Sequence, residues 1–227
     1  MEQEKARTTP VVLVGAQEFA AVFGGPARNT AQWIQRGVLD YDEAAIVSGR
    51  AYWPIGFVLA WGDTPERQKT PDMDYVKQLI AEQAPGANEK VVMAVRANSL
   101  PPIVGVQEIL ALTGEDPTKA KLITDAMKAG VLTPDWRLSG SPLWRLPSAL
   151  AGLERMRERP KSRPLVVIPE VEKALEGRTY DGPGSRITSG KGRTAERREE
   201  LRKEQSQKQA LREPTGPEGS EGASEGS

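Results

Sequence analysis

The residues with the clearest chemical capacity lie in one short stretch, from Arg28 to Arg36. Their guanidinium and amide groups can all donate hydrogen bonds. Residues three or four apart share a face of a helix, so Arg28, Gln32 and either Gln35 or Arg36 form one donor-rich face. Recognition through hydrogen bonds is the chemistry that this pattern favours, and an ordinary solvated helix face is the alternative interpretation. The full set of donors is Arg28, Asn29, Gln32, Gln35 and Arg36.

Catalytic and metal-binding chemistry has little support in the composition. The 227-residue chain contains no cysteine and no histidine, which excludes disulfides, zinc-finger ligands, thiol nucleophiles and acid-base catalysis by histidine. Asp40, Asp42 and Glu43 form an acidic group, but the chain has no glycine-rich phosphate loop to accompany it. We therefore expect no enzyme activity, no metal site and no cofactor.

The donor stretch belongs to a segment that the chain repeats. Residues 14–24 read VGAQEFAAVFG, and residues 104–114 read VGVQEILALTG. The similarity continues through a Gly-Val-Leu triplet at 37–39 and 130–132, and through a Ser-Gly pair four residues before a tryptophan, at Ser48 and Ser139. Between these anchors the spacing changes by three residues and then back by two, which is typical of loops and helix ends.

Each copy is predicted to contain a strand, two short helices, a hairpin and a closing helix. In the first copy the apolar run 11–14 is long enough for a strand only, and 17–23 has helical apolar spacing. Two glycines end that helix, and Pro26 suits the first turn of a second helix, 26–36. Residues 48–53 read as a tight turn leading into a strand, as in a hairpin wing.

This unit resembles the winged helix-turn-helix of the MerR and excisionase group. The resemblance rests on V-G-x-x-E before the first helix, on Trp33, Arg36 and Gly37 at the end of the second, and on the run 48–53 in the wing. It covers about fifty residues of each copy. It implies that the second helix enters the major groove of DNA and that the wing lies near phosphates. The residues so implied are Arg28, Asn29, Gln32 and Arg36 for the groove, with Arg50 and Tyr52 for the phosphates.

The second copy departs further from that pattern. Its second helix is expected to begin at Asp116 as the N-cap, followed by Pro117. The family tryptophan is replaced by Ala126 or Met127, and the wing lacks the arginine of the first copy. Protein contact is the alternative role for this copy. Its candidate contacts are Thr118, Lys119, Lys121, Asp125 and Lys128, together with Arg145 after the wing.

Four of the five tryptophans in the two copies invite two interpretations. Stacking on nucleic-acid bases is one of them. Core packing is favoured, because tryptophan is the large residue that a small domain can use to fill its interior. The residues concerned are Trp33, Trp53, Trp136 and Trp144.

The charge balance limits how strongly the chain can attract nucleic acid. Thirty-one basic and thirty-one acidic side chains cancel. Residues 1–62 carry five basic and six acidic side chains, and residues 101–153 carry five of each. Nonspecific affinity comes mostly from phosphate neutralisation and is therefore expected to be weak.

The remaining segments complete the expected organisation. A helical linker is predicted from the capping signal and apolar stripe after residue 70, and the apolar run 165–168 is a candidate to add to a sheet edge. From Gly177 onward large apolar residues are nearly absent, which favours disorder. The expected order is a flexible N-terminus (1–10), winged unit 1 (11–62), helical linker (63–100), winged unit 2 (101–160), short connector (161–176) and disordered charged tail (177–227).

The sequence thus predicts a mainly α fold with small β-hairpin wings, built from two winged helix-turn-helix units. The expected function is sequence-specific binding of double-stranded DNA, as a transcriptional regulator or an excisionase-like architectural factor. A direct repeat in the protein predicts half-sites that can be directly repeated. The alternative is a scaffold or adaptor, such as a small DNA-packaging subunit or phage assembly factor.

The expected surroundings of the chain follow from the same reading. The linker or the tail would carry any homo-oligomer or protein contact. No membrane partner is expected, because no apolar run approaches the length of a span and the N-terminus lacks an apolar signal region. We expect a soluble, cytoplasmic protein.

Overall fold

The computed structural model describes residues 10–65, 67–158 and 165–187. Most of them form two halves in which strands and α-helices follow in the same order. The first half contains β1 (Leu13–Val14), α1 (Ala16–Val22), α2 (Arg28–Gln35), β2 (Ala45–Val47), β3 (Arg50–Pro54), α3 (Ile55–Gly62) and α4 (Met73–Gln83). Helix α5 (Glu89–Ala94) and a 3-10 turn (Ala97–Ser99) follow. The second half contains β4 (Ile103–Val104), α6 (Val106–Leu112), a 3-10 turn (Pro117–Lys119), α7 (Ala120–Lys128), β5 (Trp136–Leu138), β6 (Ser141–Arg145), α8 (Leu146–Arg157) and α9 (Pro169–Glu176).

The fold is mixed α/β, with nine α-helices and two three-stranded antiparallel sheets in the described residues. The strand orders are β1-β3-β2 and β4-β6-β5. Each expected hairpin therefore exists, and each gains the strand that begins its half as a third member. Val14 pairs with Trp53, and Val104 pairs with Trp144, in the same register in both halves.

Both hairpins close through a two-residue turn of the same conformation. The backbone φ is 48° at Ser48 and 74° at Gly49, and it is 47° at Ser139 and 76° at Gly140. Positive φ at both central residues is the geometry that matches the twist of the flanking strands. Serine is an uncommon residue in this conformation. In both turns its hydroxyl forms a hydrogen bond with the opposite half.

The repeat extends further than the sequence predicts. The N–H of Asp72, before α4, donates to the carbonyl of Val22 (2.7 Å), and the N–H of Ile168, before α9, donates to the carbonyl of Leu112 (2.8 Å). Since Val22 and Leu112 are equivalent, α4 and α9 are equivalent as well. The predicted linker therefore begins with a helix of the first half, and the predicted short connector ends with a helix of the second. Leu165 and Val167 pack on the core of that half, and 165–168 forms no strand among the described residues.

The changes in spacing between the two copies lie in turns, as expected. The three extra residues of the second copy correspond to the 3-10 turn Pro117–Lys119, which has no counterpart between α1 and α2. Asp116 accepts a hydrogen bond from the N–H of Thr118 (2.8 Å) and so caps this turn rather than α7 itself. Thr30 in α2 and Ile123 in α7 then occupy the same buried position.

The core of the described residues consists of three apolar clusters. One lies inside the first half around Phe19, Trp53 and Trp61, and a second lies inside the second half. The third lies between the halves, where equivalent positions contribute from both sheets. Its members include Val47 and Leu138, which are equivalent, Tyr52 and Leu143, which are equivalent, and also Val11, Leu13, Trp136, Val95 and Leu100.

A serine from each hairpin caps a helix of the other half. Helix α1 begins after Gly15, which has no side chain, and the hydroxyl of Ser139 accepts the N–H of Gln17 (3.1 Å). At the equivalent position of the second half, the hydroxyl of Ser48 accepts a hydrogen bond from the N–H of Gln107 (3.0 Å) at the start of α6. The N-cap that is normally supplied by the residue before a helix is thus supplied by the opposite half.

A glutamate completes each of these two contacts. Glu18 accepts hydrogen bonds from the N–H of Ser139 (2.7 Å), its hydroxyl (2.6 Å) and the N–H of Gly15 (3.1 Å). Glu108 accepts the same three from Ser48 (2.7 Å and 2.7 Å) and Gly105 (2.9 Å). We call these the Glu18 junction and the Glu108 junction. Glu108 is only 2% exposed, so its charge depends on these donors.

The two junctions together define how the halves are related. The hairpin of the first half contacts the first helix of the second, and the hairpin of the second contacts the first helix of the first. Reciprocal contacts of this kind characterise a two-fold interface, whereas a head-to-tail interface supplies only one of the two. The reciprocal contacts therefore relate the halves by an approximate two-fold rotation.

The C-terminal described segment covers one junction. The N–H of Gly49 donates to the carbonyl of Gly184 (2.8 Å), and Gly184 lies so close to Glu108 that a Cβ there would overlap the carboxylate. Burial, and then the charge of Glu108, raises the pKa of Tyr180 in this segment to about 12. Residues 177–187 of the predicted disordered tail are thus packed in place. Three further segments lie outside the described residues. They are 1–9 of the predicted flexible N-terminus, 159–164 where predicted winged unit 2 meets the short connector, and 188–227 of the predicted disordered tail.

The close contact between Gly15 and Ser139 predicts that substitutions at the two positions do not act additively on stability. A Cβ at Gly15 would overlap the Ser139 hydroxyl and lie 3.1 Å from the Ser139 Cβ. We expect Gly15→Ala to lower the free energy of unfolding by about 1–3 kcal/mol, because the hairpin must move away from α1. Adding Ser139→Gly removes the overlapping atoms, so the double variant should lose less stability than the two single losses combined. Urea unfolding measures all three, and simple additivity would contradict the close contact.

The Glu108 junction predicts a large effect from removing one charge. In Glu108→Gln the carboxamide NH₂ must face the N–H of Ser48 or that of Gly105, so one donor is left without an acceptor. We expect a loss of about 1–3 kcal/mol in the free energy of unfolding, measured by urea titration. Glu176→Gln, at an exposed glutamate of α9, is the matched control and should change stability by less than about 0.5 kcal/mol. Equal effects of the two variants would contradict the role of Glu108.

Candidate nucleic-acid interface

Helix α2 is fixed on α1 by one buried side and exposes the opposite side. The hydroxyl of Thr30, which is fully buried, donates to the carbonyl of Ala16 (2.7 Å). Trp33 packs among aromatic rings, with centroids 5.9 Å from Phe19 and 4.9 Å from Trp61. These contacts leave one stripe of α2 in solvent, and it consists of Arg28, Ala31, Gln32 and Gln35.

Two of the predicted groove contacts lie beside this stripe rather than on it. Asn29 is half-buried, and its side-chain amide lies against Gly25 in the preceding turn. Arg36 is exposed but follows the last helical residue, where its N–H donates to the carbonyl of Gln32 (3.0 Å). The donors that the helix itself presents are therefore Arg28, Gln32 and Gln35.

Helix α7 presents an equivalent stripe. With the Gly37 and Gly130 turns aligned, Lys121, Thr124, Asp125 and Lys128 occupy the positions of Arg28, Ala31, Gln32 and Gln35, and all are exposed. Ala126, at the position of Trp33, is buried, as Trp33 partly is. We call the two sets the α2 stripe and the α7 stripe. They match in position and differ in chemistry, since α7 includes a carboxylate.

The two other predicted contacts near α7 are engaged locally. Thr118 and Lys119 belong to the inserted 3-10 turn. The hydroxyl of Thr118 donates to Asp116 (2.6 Å), which lowers the pKa of that carboxyl. Lys119 pairs with Glu115 (2.6 Å). Both are exposed, but neither shares the stripe.

The hairpins do not present free wings. Tyr52 is 1% exposed in the cluster between the halves, where burial raises the pKa of its hydroxyl, so its predicted place beside a phosphate is wrong. Arg50 is exposed, and its guanidinium donates to the carbonyl of Ser139 (3.1 Å) across the Glu18 junction. The guanidinium of Arg145 lies 5.1 Å from the ring centroid of Trp136. The hairpin turns are used to join the halves.

The tryptophans pack as predicted. Trp53, Trp136 and Trp144 are each at most 3% exposed, and Trp33 is half-buried in the aromatic group of α1 and α3. Lys69 places its ammonium 5.1 Å from the Trp33 ring centroid. These rings stabilise the two halves, and the described part of the chain offers none of them as a stacking platform.

A groove runs beside the α2 stripe. Its volume is about 470 Å³, and its walls come from α2, from β3 and from the hairpin turn of the other half. Residues from all three walls and from the C-terminal segment line it, among them Arg28, Gln35, Arg50, Ser139 and Ile187. The Glu18 junction thus fixes the surroundings of the α2 stripe as well as the start of α1.

The described residues show neither a metal-binding group of side chains nor a membrane-spanning helix. They contain no group of three or more acidic side chains placed to hold a metal ion. None of the helices described combines the length and the apolar character that crossing a bilayer requires.

Sequence reasoning singled out Arg28 and its neighbours but missed the residues that position them. Glu18 and Glu108 were visible as identical residues in both copies, and so were Ser48 and Ser139. Their exact repetition was the available signal. What it could not give is that each serine finds its glutamate in the opposite copy.

No protein-family model, no curated protein and no solved structure matches the chain.

Proposed function

We propose that the chain is a sequence-specific double-stranded DNA-binding protein in which α2 and α7 are recognition helices. It would act as a transcriptional regulator or an excisionase-like architectural factor, as the resemblance to the MerR and excisionase group implies. The observation that carries the proposal is the pair of exposed polar stripes at equivalent positions of the two halves. A cytoplasmic location belongs to the same proposal.

The side chains of the α2 stripe suit the edges of bases. Arginine pairs with the two acceptors of guanine, and glutamine pairs with adenine, both in the major groove. Arg28 lies in the first turn of α2, the end of a recognition helix that normally contacts bases. Gln32 and Gln35 follow on the same face. In the α7 stripe Lys121 and Lys128 suit guanine or phosphate, and Asp125 suits cytosine.

The neutral charge of the chain shapes the expected binding. With equal numbers of acidic and basic side chains, phosphate contacts contribute little affinity. Base contacts must therefore supply an unusually large share of the binding free energy. Nonspecific binding should be weak and the ratio of specific to nonspecific affinity high.

The same neutrality favours a second candidate function, a scaffold or adaptor in which the stripes contact protein. A small DNA-packaging subunit or phage assembly factor would be of this kind. Light scattering distinguishes the two, because the scaffold predicts a large defined oligomer with no preference among duplexes.

The α2 stripe predicts a loss of discrimination on truncation. Duplexes selected from a random library by the full chain are compared by fluorescence anisotropy at several salt concentrations. We expect Arg28→Ala to reduce discrimination at one base pair by about 1–3 kcal/mol, because one bidentate contact is lost. Lys90→Ala, at an exposed position of α5 outside both halves, is the control and should leave discrimination unchanged.

Two results would count against DNA recognition. One is failure of the chain to enrich any duplex above random sequence at low salt. The other is an equal loss for Arg28→Ala and Lys90→Ala, which would reduce the role of Arg28 to general charge.

A further inference from the structure

We propose that the chain reads an imperfect inverted repeat, with one chain per site, α2 on one half-site and α7 on the other. This inference rests on the proposed function and specifies the DNA that it requires. It replaces the directly repeated half-sites that a tandem sequence suggests. It follows from the relation between the halves, from the match between the two stripes, and from the difference in their chemistry.

The joint between the halves is nearly symmetric. Ser48 contacts Glu108 and Ser139 contacts Glu18, with each distance reproduced to within about 0.1 Å between the equivalent serine contacts. The apolar cluster between the halves repeats the rule with Val47 and Leu138. Such reciprocity is what two identical subunits show around a two-fold axis. Here the two partners lie in one chain.

The two-fold relation between the halves determines the orientation of the half-sites on DNA. A double helix has its own two-fold axes perpendicular to its length, so protein elements related by a two-fold rotation meet inverted half-sites. Elements related by translation would meet direct repeats. Since α2 and α7 are held by equivalent buried positions, Thr30 and Ile123, they follow the two-fold relation of their halves.

The side chains of the two stripes determine the base sequences of the two half-sites. The stripes correspond position by position, with Arg28 matched by Lys121, Gln32 by Asp125 and Gln35 by Lys128. Different side chains at matched positions select different bases. The site is therefore inverted in orientation without being identical in its two arms.

The arrangement also determines how many protein chains bind one DNA site. Both recognition helices and both junctions belong to one chain, so the site is complete without a second copy. A homodimer would need two chains to present two related helices. One chain should accordingly occupy one duplex over the whole site.

The test exchanges one stripe for the other. Variant A carries Lys121→Arg, Thr124→Ala, Asp125→Gln and Lys128→Gln, which gives both halves the α2 stripe. Variant B carries Arg28→Lys, Ala31→Thr, Gln32→Asp and Gln35→Lys, which gives both the α7 stripe. All eight positions are exposed. Urea unfolding confirms that each variant remains folded, and either variant alone is sufficient.

Selection from a random duplex library gives the readout. We expect the full wild-type chain to enrich an imperfect inverted repeat, and each variant to enrich a perfect one built from a single wild-type arm. Each variant should prefer its own perfect repeat over the wild-type site by about tenfold or more. Sedimentation of the wild-type complex should give one chain per duplex.

The outcomes separate this inference from the proposed function. Enrichment of direct repeats or of a single half-site, or a complex of one chain with two duplexes, would overturn the inverted arrangement while leaving DNA recognition intact. Enrichment of no duplex would remove DNA recognition, and the inference with it.

Discussion

The structure depends on an exchange of helix caps between its two halves. Gly15 and Gly105 precede helices and have no side chain to offer, so the first N–H groups of α1 and α6 are capped by Ser139 and Ser48. A carboxylate from the capped helix then holds the serine through its N–H and its hydroxyl. Because the residue before each helix has no side chain, neither half caps its own first helix with a side chain of that residue.

This exchange explains why the hairpins differ from free wings. A turn that must reach the helix of the other half cannot also project towards solvent, and the strands behind it become the walls of a shared apolar cluster. Tyr52 is buried for that reason, and Arg50 bonds across the joint. The donor-rich stripe of α2 and the matching stripe of α7 stay exposed. The proposed recognition is therefore assigned to the helices and not to the hairpins.

The sequence predicted the local elements well, because each is determined by neighbours in the chain. Apolar spacing located α1 and α4, and the Ser-Gly pairs located the hairpin turns. Contacts between distant positions were not predictable, since Ser139 and Glu18 are 121 residues apart and no periodicity links them. Helix α9 was missed because the apolar run before it favours a strand, although Ile168 instead bonds to Leu112.

The two junctions between the halves are covered unequally. The backbone around Gly184 crosses the Glu108 junction and bonds to Gly49, and among the described residues no backbone segment crosses the Glu18 junction in the same manner. Local opening requires the contacts at one site to break before the whole fold does. Opening of the joint on the side of Ser139 would leave the contacts of Gly184 intact, so the halves would turn about the covered Glu108 junction.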